Sequence, residues 1–156
     1  MKTIVFGLIT FAHDLFTAVW IGGMFTLALS VFPALKGTWG KGQEVKRATM
    51  AIQKRHSLWV YISMGGLILT GLLISNRSDI FGGLFTFQNA YSTLLSLKHI
   101  FVLAMIGITL YRSLVVGRGA GPSTPAQKKR NAQLLIANLL LGLSVLLFSG
   151  LMTALV

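Results

Sequence analysis

Four long apolar stretches, separated by shorter polar connections, dominate the pattern of hydrophobic and polar positions along this chain. A helix needs about 20 apolar residues to cross a bilayer, and only helices or closed barrels satisfy their backbone hydrogen bonds in lipid. The pattern therefore predicts one all-α domain over 1–156, a four-helix transmembrane bundle. The predicted membrane helices cover about 4–35, 57–75, 90–116 and 134–156.

Composition agrees with an integral membrane protein and excludes several kinds of site. Hydrophobic residues make up 54% of the chain and charged residues only 11%, whereas a soluble domain carries about 25% charged residues. The chain contains no cysteine, which excludes disulfides, thiolate zinc sites and iron–sulfur clusters. The net charge of +11 comes from basic residues that flank apolar stretches, so the bilayer is the expected partner and nucleic acid is not.

The distribution of basic residues predicts how the chain crosses the membrane. Most of them lie in the connections 36–56 and 117–133, whereas the connection 76–89 carries one basic and one acidic residue. Cytoplasmic connections are enriched in lysine and arginine. We therefore expect a multi-pass protein of the cytoplasmic membrane with both basic connections inside and both termini outside, N-out and C-out. Residues 42–55 can extend the second helix along anionic headgroups.

Two histidines lie inside predicted membrane helices at matching depth. His13 and His99 each follow the start of an apolar stretch, Ile4 or Ala90, by nine residues, which places both about 13 Å into the membrane. Ionisable side chains are rare in lipid and usually mark a function, and two imidazoles can ligate one haem iron from opposite sides. Alternatively, each imidazole hydrogen-bonds a neighbouring helix. The third histidine, His56, lies at the inner boundary, where we expect it to be solvated.

The prediction that follows is one bis-histidine haem b near the outer leaflet, with His13 and His99 as axial ligands. Gly66 would admit a flat macrocycle or, alternatively, pack closely against another helix. A cationic side chain near the haem would bind its propionates, although Lys98 is also placed to pair with Asp14. Further candidate contacts to this cofactor are Trp20, Gly66, Lys98 and Arg77.

Such a haem favours electron transfer, because an iron with both axial positions filled has no open site for a substrate. The expected partners are a quinone in the membrane and an extracytoplasmic redox protein. One haem near one surface cannot alone carry electrons across about 30 Å of hydrocarbon, so a homo-oligomer or a larger assembly is an open alternative. Whether the chain is a quinol-linked oxidoreductase is also left open.

Methionine supports a different interpretation. Thioethers suit Cu(I), and Met24, Met64 and Met105, three of the six methionines, could line a copper path through the apolar stretches. Scattered methionine is also ordinary apolar filling. Copper uptake is therefore the alternative to the haem cytochrome, and it predicts a colourless protein.

Three segments resemble known families. The run AHDLFTAVWIGGMFTLALSVFPALK, the segment LILTGLLI and the segment LKHIFVLAMIGITLYR are similar to the copper-resistance D (CopD-like) four-helix membrane proteins, which implies copper handling. Similar four-helix modules are b-type cytochromes. A more distant resemblance is to the HemJ-type protoporphyrinogen oxidase, which implies that His13 ligates haem and that Lys98 supports it. That family has Tyr-His where this chain has Tyr111-Arg112.

Overall fold

Helices account for every regular element that the structure describes. The structure is a computed structural model that describes residues 2–40, 42–75, 85–116 and 124–155. Four helical stretches are long and apolar enough to cross a membrane, which confirms an all-α fold with four long membrane helices. They are Lys2–Trp39, Gln43–Ile74, Ala90–Leu114 and Pro125–Ala154.

The chain divides into two compact units at Asp79–Ile80, and each is described by itself. The first unit contains hairpin 1, in which α1–α3 (Lys2–Trp39) pack against α4 (Gln43–Ser75). The second contains hairpin 2, in which α5 (Ala90–Tyr111) packs against α6 (Pro125–Ala154).

The first long helix of hairpin 1 is interrupted twice by a wider π-helical turn. Its α-helical parts are α1 (Lys2–Thr17), α2 (Gly23–Thr26) and α3 (Phe32–Trp39). The π-helical turns cover Ala18–Gly22 and Leu27–Val31. Such turns are rare and occur frequently at functional sites. The helix ends at Gly40, whose φ of 71° is a conformation that glycine adopts without steric cost, and the chain reverses there into α4.

Glycines let the two sides of hairpin 1 approach closely. The ring of Phe16 lies on Gly66, and the imidazole of His56 lies on Gly23. A Cβ built on Gly23 would be 2.5 Å from Cε1 of His56, so no larger residue fits there without moving the ring. These contacts fix an antiparallel register in which residues late in the first helix meet residues early in α4.

Hairpin 2 is held by polar side chains on its inner side. Asn138 is fully buried, and its Nδ2 donates a hydrogen bond of 3.1 Å to Oγ1 of Thr109. Nearer the connection between the helices, Nε of Arg112 donates to Oδ1 of Asn131 over 2.7 Å. Polar contacts of this kind join membrane helices that gain little from apolar burial alone.

Two helices begin earlier than their apolar stretches. The second begins at Gln43, where we predicted residue 57 with a basic helical extension, and that extension is helical. The fourth begins at Pro125, where we predicted residue 134. The reason is a capping box: the Gln127 amide donates to Oγ1 of Thr124, and the Thr124 amide donates to Oε1 of Gln127. Hydropathy marks the part of a helix that lies in lipid, whereas caps mark where its backbone begins.

Large apolar side chains cover the outward faces of both hairpins. Leu8 and Leu69 are more than 60% exposed in hairpin 1, and Leu140 is 61% exposed in hairpin 2. Contiguous apolar surface of this extent is typical of contact with a membrane or another protein. It agrees with a multi-pass membrane protein.

Candidate metal-binding side chains

His13 is held in a defined orientation inside hairpin 1. Its Nδ1 lies 2.9 Å from Oγ1 of Thr70, and that hydroxyl donates its single proton to the backbone oxygen of Gly66 at 2.7 Å. Since the hydroxyl proton is already used, the Thr70 oxygen accepts from His13, which requires the ring proton on Nδ1. In the neutral ring Nε2 then carries the lone pair. A histidine whose second nitrogen is fixed by such a hydrogen bond is typical of metal ligands.

Two methionines of hairpin 1 are buried. Met24 is 6% exposed and Met64 is 7% exposed, whereas Met50 on the basic part of α4 is 52% exposed. The thioethers of Met24 and Met64 are therefore soft donors in an environment that contains little water, whereas the thioether of Met50 is solvated.

His56 differs from the expectation that it is solvated. Its ring packs on Gly23, and its Nε2 is buried without a hydrogen-bond partner. Trp20, which is 1% exposed, also has a buried and unpartnered Nε1. Sequence reasoning singled out Trp20 but missed the burial of His56, because hydropathy begins the second membrane helix only at residue 57. The available signal was the Trp-Ile-Gly-Gly segment, 20–23, whose glycines allow another side chain to approach closely.

His99 in hairpin 2 has the same tautomer as His13. Its Nδ1 lies 2.7 Å from the backbone oxygen of Leu95, and a carbonyl oxygen only accepts, so Nδ1 carries a proton and, in the neutral ring, Nε2 has the lone pair. Ser96, three residues before His99 on α5, is fully buried, and its hydroxyl donates to the backbone oxygen of Thr86 at 2.8 Å. Hairpin 2 also buries Met105 and Met152.

The predicted site residues are divided between the two units. His13, Trp20 and Gly66 belong to hairpin 1, and His99 and Lys98 belong to hairpin 2. The bis-histidine pair therefore stays a prediction. Asp14 is exposed, and the propionate candidate at position 77 lies outside the described residues.

The surroundings of Gly66 bear on its expected role. The ring of Phe16 occupies the space over this glycine, so a macrocycle placed there would require that ring to move. Close helix packing, the alternative explanation for Gly66, is what the contact with Phe16 provides.

The donors available for a metal are mainly imidazoles and thioethers. Across 2–40, 42–75, 85–116 and 124–155, no group of three or more histidine, cysteine, aspartate or glutamate side chains is placed to hold a metal ion. Hard divalent cations prefer several oxygen ligands, whereas Cu(I) accepts sulfur and imidazole nitrogen. The imidazole and thioether side chains of each hairpin are donors of the kind that Cu(I) accepts.

Comparison with known proteins gives one match. The family described as copper resistance protein D matches residues 50–152, well over half of the 156-residue chain. A search of curated proteins found no match, and a search of solved structures found none either. The matched region begins in α4 and contains His56, Met64 and His99. The extent of this match shows that the chain is a membrane protein of the copper resistance protein D family.

Proposed function

We propose that this protein binds Cu(I) within the membrane and hands it on during copper uptake or copper resistance. The observation that carries the proposal is the arrangement at His13, whose Nε2 lone pair is fixed by Thr70 inside a hairpin that also buries Met24 and Met64. The family match supports copper over haem, so the alternative interpretation of the sequence becomes the leading one.

The chemistry of these side chains suits a transported ion. Thioether sulfur binds Cu(I) well and hard cations poorly, and a neutral imidazole needs no deprotonation to bind. Buried donors also exclude the water that would stabilise Cu(II). A few soft donors spaced along a hairpin bind an ion firmly enough to admit it and weakly enough to release it, which conduction requires.

The test is Cu(I) binding by the purified, detergent-solubilised protein, titrated anaerobically against a chromophoric Cu(I) chelator. Met24→Leu and Met64→Leu conserve volume, and we expect each to weaken Cu(I) binding at least tenfold. Met50→Leu is the matched control, because Met50 is exposed and its loss leaves affinity unchanged. Wild-type protein that binds no Cu(I), or buried-methionine variants that bind as Met50→Leu does, would contradict the proposal.

A second candidate function, electron transfer through one bis-histidine haem b, is favoured by the shared tautomer of His13 and His99. Both rings carry the proton on Nδ1 and the lone pair on Nε2, as axial ligands require. In that case the partners would be a quinol and an extracytoplasmic redox protein, with Lys98 near a propionate. An optical spectrum of the purified, dithionite-reduced protein distinguishes the candidates: low-spin bands lost in His99→Ala indicate this cytochrome, and a five-coordinate haem indicates a porphyrin-oxidising enzyme.

The orientation in the cytoplasmic membrane is also part of the proposal. The basic residues of 36–55 favour an inner location for the turn of hairpin 1. The chain has no cysteine, so a single Lys46→Cys variant reports this directly: an impermeant maleimide should label it in inverted vesicles and not in intact cells. Labelling of intact cells would reverse the orientation.

A further inference from the structure

We propose that His56 and Met24 form a second Cu(I) site in hairpin 1, separate from His13. This inference rests on the proposed function, because it assigns a further position to the same ion. His56 and Thr70, the partner of His13, are 14 residues apart on α4, which corresponds to about 21 Å along a helix. One ion cannot contact both histidines, so the hairpin presents two separate places for it.

The first observation is the state of the His56 ring. It lies between the helices on Gly23, and its Nε2 is buried yet has no hydrogen-bond partner. Buried polar groups in proteins nearly always have a partner, and each exception calls for an explanation such as an ion. In the tautomer with its proton on Nδ1, this buried nitrogen presents a lone pair, which is a suitable ligand for a soft cation.

The second observation is a buried thioether at the same level of the first helix. Met24 directly follows Gly23, the residue on which His56 packs, and it is buried. Cu(I) is stable with as few as two soft ligands, so one imidazole and one thioether suffice. Trp20, four residues earlier and 1% exposed, keeps water from this part of the hairpin.

The backbone of the first helix is shaped around these side chains. The π-helical turn Ala18–Gly22 contains Trp20 and Ile21, which are both buried. The turn ends immediately before Gly23 and Met24. Since π-helical turns are frequent at functional sites, its position agrees with a binding role for this level of the hairpin.

The stoichiometry of Cu(I) binding tests the inference. We expect His56→Leu to bind one Cu(I) per chain fewer than wild type. Gly23→Ala should give the same loss without removing a ligand, because its Cβ would lie 2.5 Å from Cε1 of His56 and displace the ring. Gly22→Ala is the matched control, since nothing lies within 4 Å of that position, and it should retain the wild-type stoichiometry.

The possible outcomes separate this inference from the proposed function. If the wild-type protein binds no Cu(I), both the proposed function and the second site are overturned. Wild-type binding that is unchanged in stoichiometry and affinity in both His56→Leu and Gly23→Ala overturns only the second site.

A fluorescence measurement assigns the position if Gly23→Ala fails to fold. Trp39 and Trp59 are exposed, so replacing both with phenylalanine leaves Trp20 as a buried reporter. Cu(I) should quench Trp20 in this background and in His13→Ala, and His56→Leu should abolish the quenching. Quenching that depends on His13 and persists without His56 would overturn the second site.

Discussion

Replacing Thr70 with valine tests whether the orientation of His13 matters for metal binding. Valine has nearly the shape of threonine but no hydroxyl, so the variant removes the 2.9 Å contact between Oγ1 and Nδ1 of His13 and leaves the packing almost unchanged. Partners of this kind typically contribute 10- to 100-fold to metal affinity, which is about 1.4–2.8 kcal/mol. Thr70 is only 6% exposed, so water cannot easily take over its role, and we expect the upper part of that range.

The assay is the anaerobic chelator competition, run on Thr70→Val beside two controls. Thr70→Ser keeps the hydroxyl and should bind Cu(I) as wild type does. Thr17→Val removes a hydroxyl that donates to the backbone oxygen of His13 at 2.9 Å and does not involve the ring, so affinity should change less than twofold. A folded Thr70→Val protein with wild-type affinity would refute the idea that this hydrogen bond prepares His13 for a metal.

Two further predictions concern stability. In denaturant titrations of the detergent-solubilised protein, Gly66→Ala should be less stable than Gly65→Ala by about 1–3 kcal/mol. A Cβ at 66 would overlap the ring of Phe16, whereas nothing lies within 4 Å of a Cβ at 65. Equal stabilities would show that the ring moves at no cost. Asn138→Leu should lower the free energy of unfolding by about 0.6–2 kcal/mol, because it leaves Thr109 without its amide donor. Adding Thr109→Val should recover part of this loss. If the losses of free energy in the two single variants simply add in the double variant, the contact does not contribute to stability.

The sequence was sufficient for the number of long helices, because runs of about 20 apolar residues have few other solutions in lipid. It also singled out His13 and the buried methionines Met24 and Met64. It could not reveal the ring orientation of His13, because the Thr70 hydroxyl that sets it is 57 residues away and belongs to a common residue type. The burial of His56 was missed for a related reason: it depends on a glycine of another helix.

The length of hairpin 1 has a consequence for what can reach it. The helix α4 has 33 residues, about 50 Å at 1.5 Å per residue, whereas the hydrocarbon layer is about 30 Å thick. The first helix is longer still, and both meet at the tight turn around Gly40. The hairpin is therefore about 20 Å longer than the hydrocarbon is thick, so it tilts or protrudes at its turn, which is rich in lysine and arginine. A soluble partner that approaches from this side would meet the lysines and arginines of this turn before it meets the membrane.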